Sequence, residues 1–182
     1  MSQAIGMVEF TSIARGIYAA DQMVKTSEVE IVTAGSSCPG KYIAIVQGDV
    51  AAVQDSVSVG ERFAEEFLVD SIVIPNVNPA VFPAITGATM PDEVQALGIM
   101  ESFSLSTMVI AADAILKSAE LQPIELRLGN GLGGKSFFTF TGDVAAVETG
   151  VETGKAIAEE KGLLVNAEVI PSPSERLLAS LF

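Results

Sequence analysis

The chain holds one cysteine and no histidine, and the cysteine stands in Ser36-Ser37-Cys38-Pro39-Gly40-Lys41, a run of turn-forming residues that ends in a cation. Without histidine the commonest general base and the commonest imidazole ligand are missing, so Ser-His-Asp, Cys-His and His-based zinc chemistry are excluded within the chain. The lone thiol has two readings: a small buried hydrophobe, or a metal ligand presented by a polar turn of serine, proline and glycine. A second stretch, Gly129-Asn130-Gly131-Leu132-Gly133-Gly134-Lys135-Ser136, satisfies both G-x-x-x-x-G-K-S and G-x-G-x-x-G. Each of these phosphate-cradling motifs needs a helix directly afterwards, whose first N–H groups hold the phosphate. Ser136-Phe137-Phe138-Thr139-Phe140-Thr141 instead alternates aromatic and β-branched residues, which is a strand pattern. Nucleotide binding is therefore not expected, and the glycines read as positions that let backbone approach an opening closely.

The elements that carry these two loops occur twice. Gly48-Asp49-Val50-Ala51-Ala52-Val53 returns as Gly142-Asp143-Val144-Ala145-Ala146-Val147, Ala4-Ile5-Gly6-Met7-Val8-Glu9 is answered by Ala96-Leu97-Gly98-Ile99-Met100-Glu101, and Ala19-Ala20-Asp21 with Lys25 by Ala111-Ala112-Asp113 with Lys117. The offset grows from 92 at Gly6 and Gly98 to 94 at Gly48 and Gly142, so the second copy holds two extra residues, and they fall in the loop before Lys41 and Lys135. Each copy opens with a short apolar strand, Ile5 to Glu9 or Leu97 to Glu101. A helix follows, with Ile13, Ile17, Ala20 and Val24 as its expected buried stripe. Thr11 or Ser12, and Ser102 or Ser104, supply its N-cap. A strand comes next, Glu28 to Thr33 or Leu121 to Leu128, then the loop, then a strand from Lys41 to Gln47 or Lys135 to Thr141. The repeated hexamer starts a second helix with Asp49 or Asp143 as N-cap rather than catalyst, and its apolar stripe is Val50, Val53, Val57, Gly60 and Ala64, or Val144, Val147, Val151, Gly154 and Ala158. A last strand, Leu68 to Ile74 or Leu163 to Ile170, closes the unit. Each copy is thus β-α-β-β-α-β, a split βαβ unit of α+β class with an antiparallel sheet and helices on one side. Prolines from Pro75 to Pro91 mark an irregular connector, and the domains are expected at 1–82 and 95–182 with 83–94 between them.

Composition limits the partners. A formal charge of −13 and a pI near 4.2 oppose binding to nucleic acid or to anionic membrane. Hydrophobic content is 49% and mean hydropathy +0.46, yet no apolar run approaches the ~20 residues that span a bilayer, so the surplus is expected in subunit contacts. No export signal is read at the N-terminus, and one cysteine allows no intrachain disulfide, which fits a reducing compartment.

The three duplicated motifs, in this order of elements, resemble the bacterial microcompartment shell domain, and two such domains in one chain resemble the tandem-domain shell proteins of that family. The resemblance implies a structural, non-enzymatic component of a shell in the bacterial cytoplasm, assembled as a homotrimer that imitates a hexameric tile and packs beside other shell proteins. It also implies that Lys25 and Lys117 lie at the tile edge. The central opening would be lined by the loops, Ser36, Ser37, Cys38, Pro39 and Gly40 in one copy and Gly129, Asn130, Gly131, Leu132 and Gly133 in the other. Three Cys38 thiolates would then converge, and Cys-Pro-Gly-Lys is similar to the sequence in the tandem shell protein of propanediol-utilisation compartments, whose pore cysteines hold an iron–sulfur cluster. A 4Fe–4S cluster, one per trimer, would take three thiolates and leave one iron for another ligand, although a 3Fe–4S form fits three thiolates equally. Electron transfer across the shell, with a redox enzyme of the lumen as a partner, or delivery of the cluster would be its task. A metal-free trimer with a pore for polar metabolites is the alternative. Pro171-Ser172-Pro173-Ser174 and Pro75-Asn76-Val77-Asn78-Pro79 depart from the Pro-Arg-Pro-His sequence that often follows the last strand in the family.

Overall fold

A computed structural model describes residues 3–181 apart from Ala88, Met90 and Asp92. The first repeat runs β1 (Ala4–Phe10), α1 (Ile13–Thr26), β2 (Glu30–Ser37), β3 (Lys41–Gly48), α2 (Val50–Ala64), a single 3-10 turn and β4 (Leu68–Ile74). After α3 (Val81–Thr86) the second repeat runs β5 (Ala96–Ser102), α4 (Leu105–Ser118), β6 (Gln122–Leu128), β7 (Ser136–Gly142), α5 (Val144–Glu160), β8 (Leu164–Ile170) and α6 (Glu175–Leu181). The sheets are antiparallel and identically ordered, β2-β3-β1-β4 and β6-β7-β5-β8, with the helices of each on one side. The chain divides into two compact units: one extends to Pro79 and takes in Gly129–Gly133, and the other comprises Ala80–Leu128 and the residues from Gly134 onward.

Strand periodicity sets the core of the first unit. Ala4, Val8 and Phe10 on β1 lie on the helix-facing side with Tyr42, Ala44 and Val46 on β3, and they meet Ala19, Ala20 and Met23 of α1 and Val53 and Val57 of α2. In the second unit Phe138 and Phe140 stack at 5.2 Å between ring centroids, and Gly98 on the neighbouring strand leaves room for the Phe140 ring. Caps fall where the polar side chains allow. Ser12 accepts from Arg15 N, Ser104 from Thr107 N and Asp143 from Ala146 N, whereas Asp49 holds the N-cap position without a side-chain cap bond. Ser102 is not a cap; its hydroxyl donates to Leu163 O and accepts from Ser104 N.

Four expectations are corrected. The buried face of α1 is Gly16, Ala19, Ala20 and Met23, while Ile13 and Ile17 lie exposed. The small residues face inward because α1 lies directly on the Tyr42 ring: a Cβ on Gly16 would stand 2.6 Å from Tyr42 Cδ1. β2 continues through Gly35, Ser36 and Ser37, paired with Ile43, Tyr42 and Lys41, so the first loop shortens to Cys38-Pro39-Gly40. The proline-marked connector is not wholly irregular, since it holds α3, whose Val81 and Ala84 are buried. Val144, at the start of the expected α5 stripe, is also partly exposed, whereas Val147, Val151, Gly154 and Ala158 are buried.

Candidate functional site

The β2–β3 turn places Cys38 at the end of the sheet, half-buried, with Ser37 buried before it and Pro39 and Gly40 exposed after it. The Cys38–Pro39 peptide is cis, and Gly40 turns the chain into β3 at φ +73°, a left-handed conformation that glycine adopts without a Cβ clash. The corresponding loop of the second repeat joins this same compact unit over Gly129–Gly133, where Gly129 O accepts the Cys38 N–H at 3.3 Å. Gly129 is buried, Leu132 is half-buried, and Asn130, Gly131 and Gly133 are exposed. Gly129, Gly131, Gly133 and Gly134 all have positive φ, so the loop is a tight coil of backbone, and β7 follows it from Ser136. No helix succeeds Lys135. Its ammonium donates to Glu101 Oε2 at 2.7 Å, and the phosphate-binding arrangement is absent from this stretch.

A pair that the residue types alone did not single out anchors each loop. Lys41 Nζ donates to Glu9 Oε1 at 2.7 Å, across β3 and β1, and Lys135 repeats the contact with Glu101 across β7 and β5. Glu9 pairs in register with Ile43 and Glu101 with Phe137, so each lysine, two residues nearer the loop, reaches the carboxylate diagonally. Its trace in the sequence was the duplicated glutamate that closes the first motif of each copy. Lys25 bonds Asp21 and Lys117 bonds Asp113, both at 2.6 Å and at i,i+4 spacing, on the last turns of α1 and α4.

Among the described residues no group of three or more His, Cys, Asp or Glu could hold a metal ion. No described helix is long and apolar enough to cross a membrane.

The duplicated sheets are matched by a family model. It describes the BMC domain, and it fits residues 4–77 and again 96–173. The chain belongs to the BMC-domain family. It is 41% identical over 97% of its length to the bacterial microcompartment shell protein PduT of Citrobacter freundii, 96% of which is covered. It is 35% identical to the carboxysome assembly protein CcmO of Synechocystis, over 98% of this chain and 63% of that one. Among solved structures, a microcompartment protein of Desulfitobacterium hafniense superposes with a TM-score of 0.94 at 47% identity, over 98% of this chain and 99% of that one. The BMC chain is thus a tandem-domain microcompartment shell protein of the PduT type, structural rather than catalytic, as these relatives are.

Proposed function

We propose that three copies of the chain form a closed tile of a microcompartment shell, in the bacterial cytoplasm and beside other shell proteins, with Cys38 of each copy holding one iron–sulfur cluster at the centre. The observation that carries this reading is the position of the one thiol, at the apex of the β2–β3 turn, where the described residues form no group of three or more His, Cys, Asp or Glu that could hold a metal ion. The donor set suits the group: one soft thiolate per chain serves an iron–sulfur centre only when copies pool their thiolates. When bound, the cluster would supply one-electron transfer or a transferable iron–sulfur unit, with a redox enzyme of the lumen as a partner. The chain's own part is to fix the thiol. The Gly129 carbonyl holds the Cys38 N–H, and the Glu9–Lys41 pair holds the strand end behind it. Lys25 and Lys117, on the last turns of α1 and α4, serve the contacts between tiles.

Exposed apolar side chains support assembly: Ile13, Ile17, Tyr18 and Ile31 in the first repeat and Phe103 in the second stand open in the single chain. A second reading, a metal-free trimer whose opening passes polar metabolites, is favoured by Gly129–Gly134, which presents backbone groups and no charged side chain. Anaerobic purification from iron-replete cells separates the two. The expected result is a brown protein with about one cluster per three chains, an electron paramagnetic resonance signal on oxidation or reduction, and loss of iron in Cys38→Ala with the assembly intact. A colourless, iron-free assembly would reject the cluster and leave the open pore.

A further inference from the structure

Neither loop of the candidate site carries a charge of its own. No charged side chain occurs from Ile31 to Gly40 or from Leu128 to Gly134, in a chain with 23 Asp and Glu and 10 Lys and Arg. The first charge after Cys38 is Lys41, the register partner of Ser37, and it is bound to Glu9 on β1. The nearest charge before Cys38 is Glu30, at the other end of β2, where Gln47 donates to it. The second loop is bounded by Arg127, bound to Glu125, and by Lys135, bound to Glu101. The thiol end of the first sheet therefore carries one ammonium and one carboxylate, and they cancel.

This pair differs in burial from its counterpart in the second repeat. Glu9 is 3% exposed and Lys41 26%, against 36% for both Glu101 and Lys135. Burying a carboxylate costs free energy even when it is paired, and the hairpin does not require it, since β5 and β7 keep the same register with the more exposed pair. What burial adds is reach. With less water and salt around it, an imbalance in the Glu9–Lys41 pair is screened less than one at the surface. The less screened pair stands in the repeat that carries the thiol.

We propose that the Glu9–Lys41 pair sets the reduction potential of an iron–sulfur centre at Cys38, by holding the net charge of the hairpin end at zero. The inference rests on the cluster reading above and adds to it two residues whose role is electrostatic rather than ligation. Net charge and solvent exposure are among the factors that fix such potentials. Glu9 without its ammonium would disfavour the added electron, and Lys41 without its carboxylate would favour it. Each copy of the assembly contributes its own pair, so the effects of the copies add.

An anaerobic redox titration of the full-length protein tests it, with dithionite as electron donor, ferricyanide as acceptor and the electron paramagnetic resonance signal as readout. The titration is run at about pH 8.5, above the usual carboxylate range and below that of lysine. Lys41→Met should lower the midpoint and Glu9→Gln should raise it. Each shift should correspond to about tenfold or more in the reduction equilibrium, which is about 59 mV for one electron. The double variant should return close to the parent value, and Lys135→Met and Glu101→Gln should each move the midpoint less. Where Lys41→Met fails to assemble, the sign of the shift in Glu9→Gln decides. A purely structural role would move both single variants the same way or release the iron. Shifts of one sign, unchanged midpoints, larger shifts from the second pair, or iron lost from both single variants but kept by the parent would overturn the inference and leave the cluster reading standing. A parent protein without iron would overturn both.

Discussion

Lys41 and Lys135 hold the same place in their repeats and the same kind of partner, yet the two pairs differ in burial and so in energy. Glu9 is 3% exposed and Lys41 26%, whereas Lys135 and Glu101 are each 36% exposed. Removing Lys41 strands a buried carboxylate, while removing Lys135 leaves one that water can reach. Lys41→Met is expected to cost about 2 kcal/mol in urea unfolding at fixed protomer concentration, and Lys135→Met less than about 1 kcal/mol; equal losses would contradict this account. Tyr42, next along β3, gives a pH-dependent term. Burial raises its phenol above the ordinary value of 10.0, so below that pH both states keep the proton and the group adds no pH dependence. Above it the unfolded chain releases a proton that the folded chain retains, and stability falls as pH rises. Tyr42→Phe should remove that part of the alkaline loss, read as a flatter dependence of the unfolding midpoint on pH. At this scale the sequence made Cys38 conspicuous by its uniqueness and turn-forming neighbours. It could not show the carbonyl that holds its N–H, because Gly129 lies 91 residues away and becomes a neighbour only through the fold.

Element existence was legible because apolar periodicity and duplication agree, whereas element faces were harder to read. α1 carries two apolar stripes, Ile13-Ile17-Ala20-Val24 and Gly16-Ala19-Ala20-Met23, and hydrophobicity favours the bulkier one as core. The structure buries the smaller, because the helix lies against Tyr42 and there is no room for a branched residue. The branched stripe is surplus to the fold of the single chain, as the composition anticipated. The Gly35-Ser36-Ser37 composition disfavours a strand and argues for a shorter β2; pairing with β3 overrides that preference. α3 was hidden by Pro83, since proline is unfavourable in the interior of a long helix but tolerable in the first turn of a short one. Close packing between elements yields a sharp prediction at Gly98. A Cβ there would stand 2.5 Å from Phe140 Cζ, inside a ring stack that cannot shift freely. Gly98→Val should therefore destabilise the chain by about 3 kcal/mol, seen as a lower urea midpoint with an unchanged slope.

The whole molecule balances apolar surface against charge. Each chain carries −13, so bringing copies together opposes like charges, while the bare α1–β2 face favours contact. Lys25 and Lys117 are each tied to an aspartate one turn earlier, which leaves their ammonium groups partly exposed on the last turns of α1 and α4. If these lysines serve contacts between tiles, Lys25→Ala with Lys117→Ala should abolish extended sheets in electron micrographs while sedimentation still shows the closed assembly; loss of the assembly itself would place the lysines inside it. The balance also fixes the sign of the salt dependence. The Debye length falls from about 30 Å at 0.01 M to about 8 Å at 0.15 M, so repulsion between whole chains is screened while apolar contact is little affected. Self-association should therefore tighten over that range in sedimentation equilibrium. Weakening instead would mean that ion pairs across the interface outweigh the net charge.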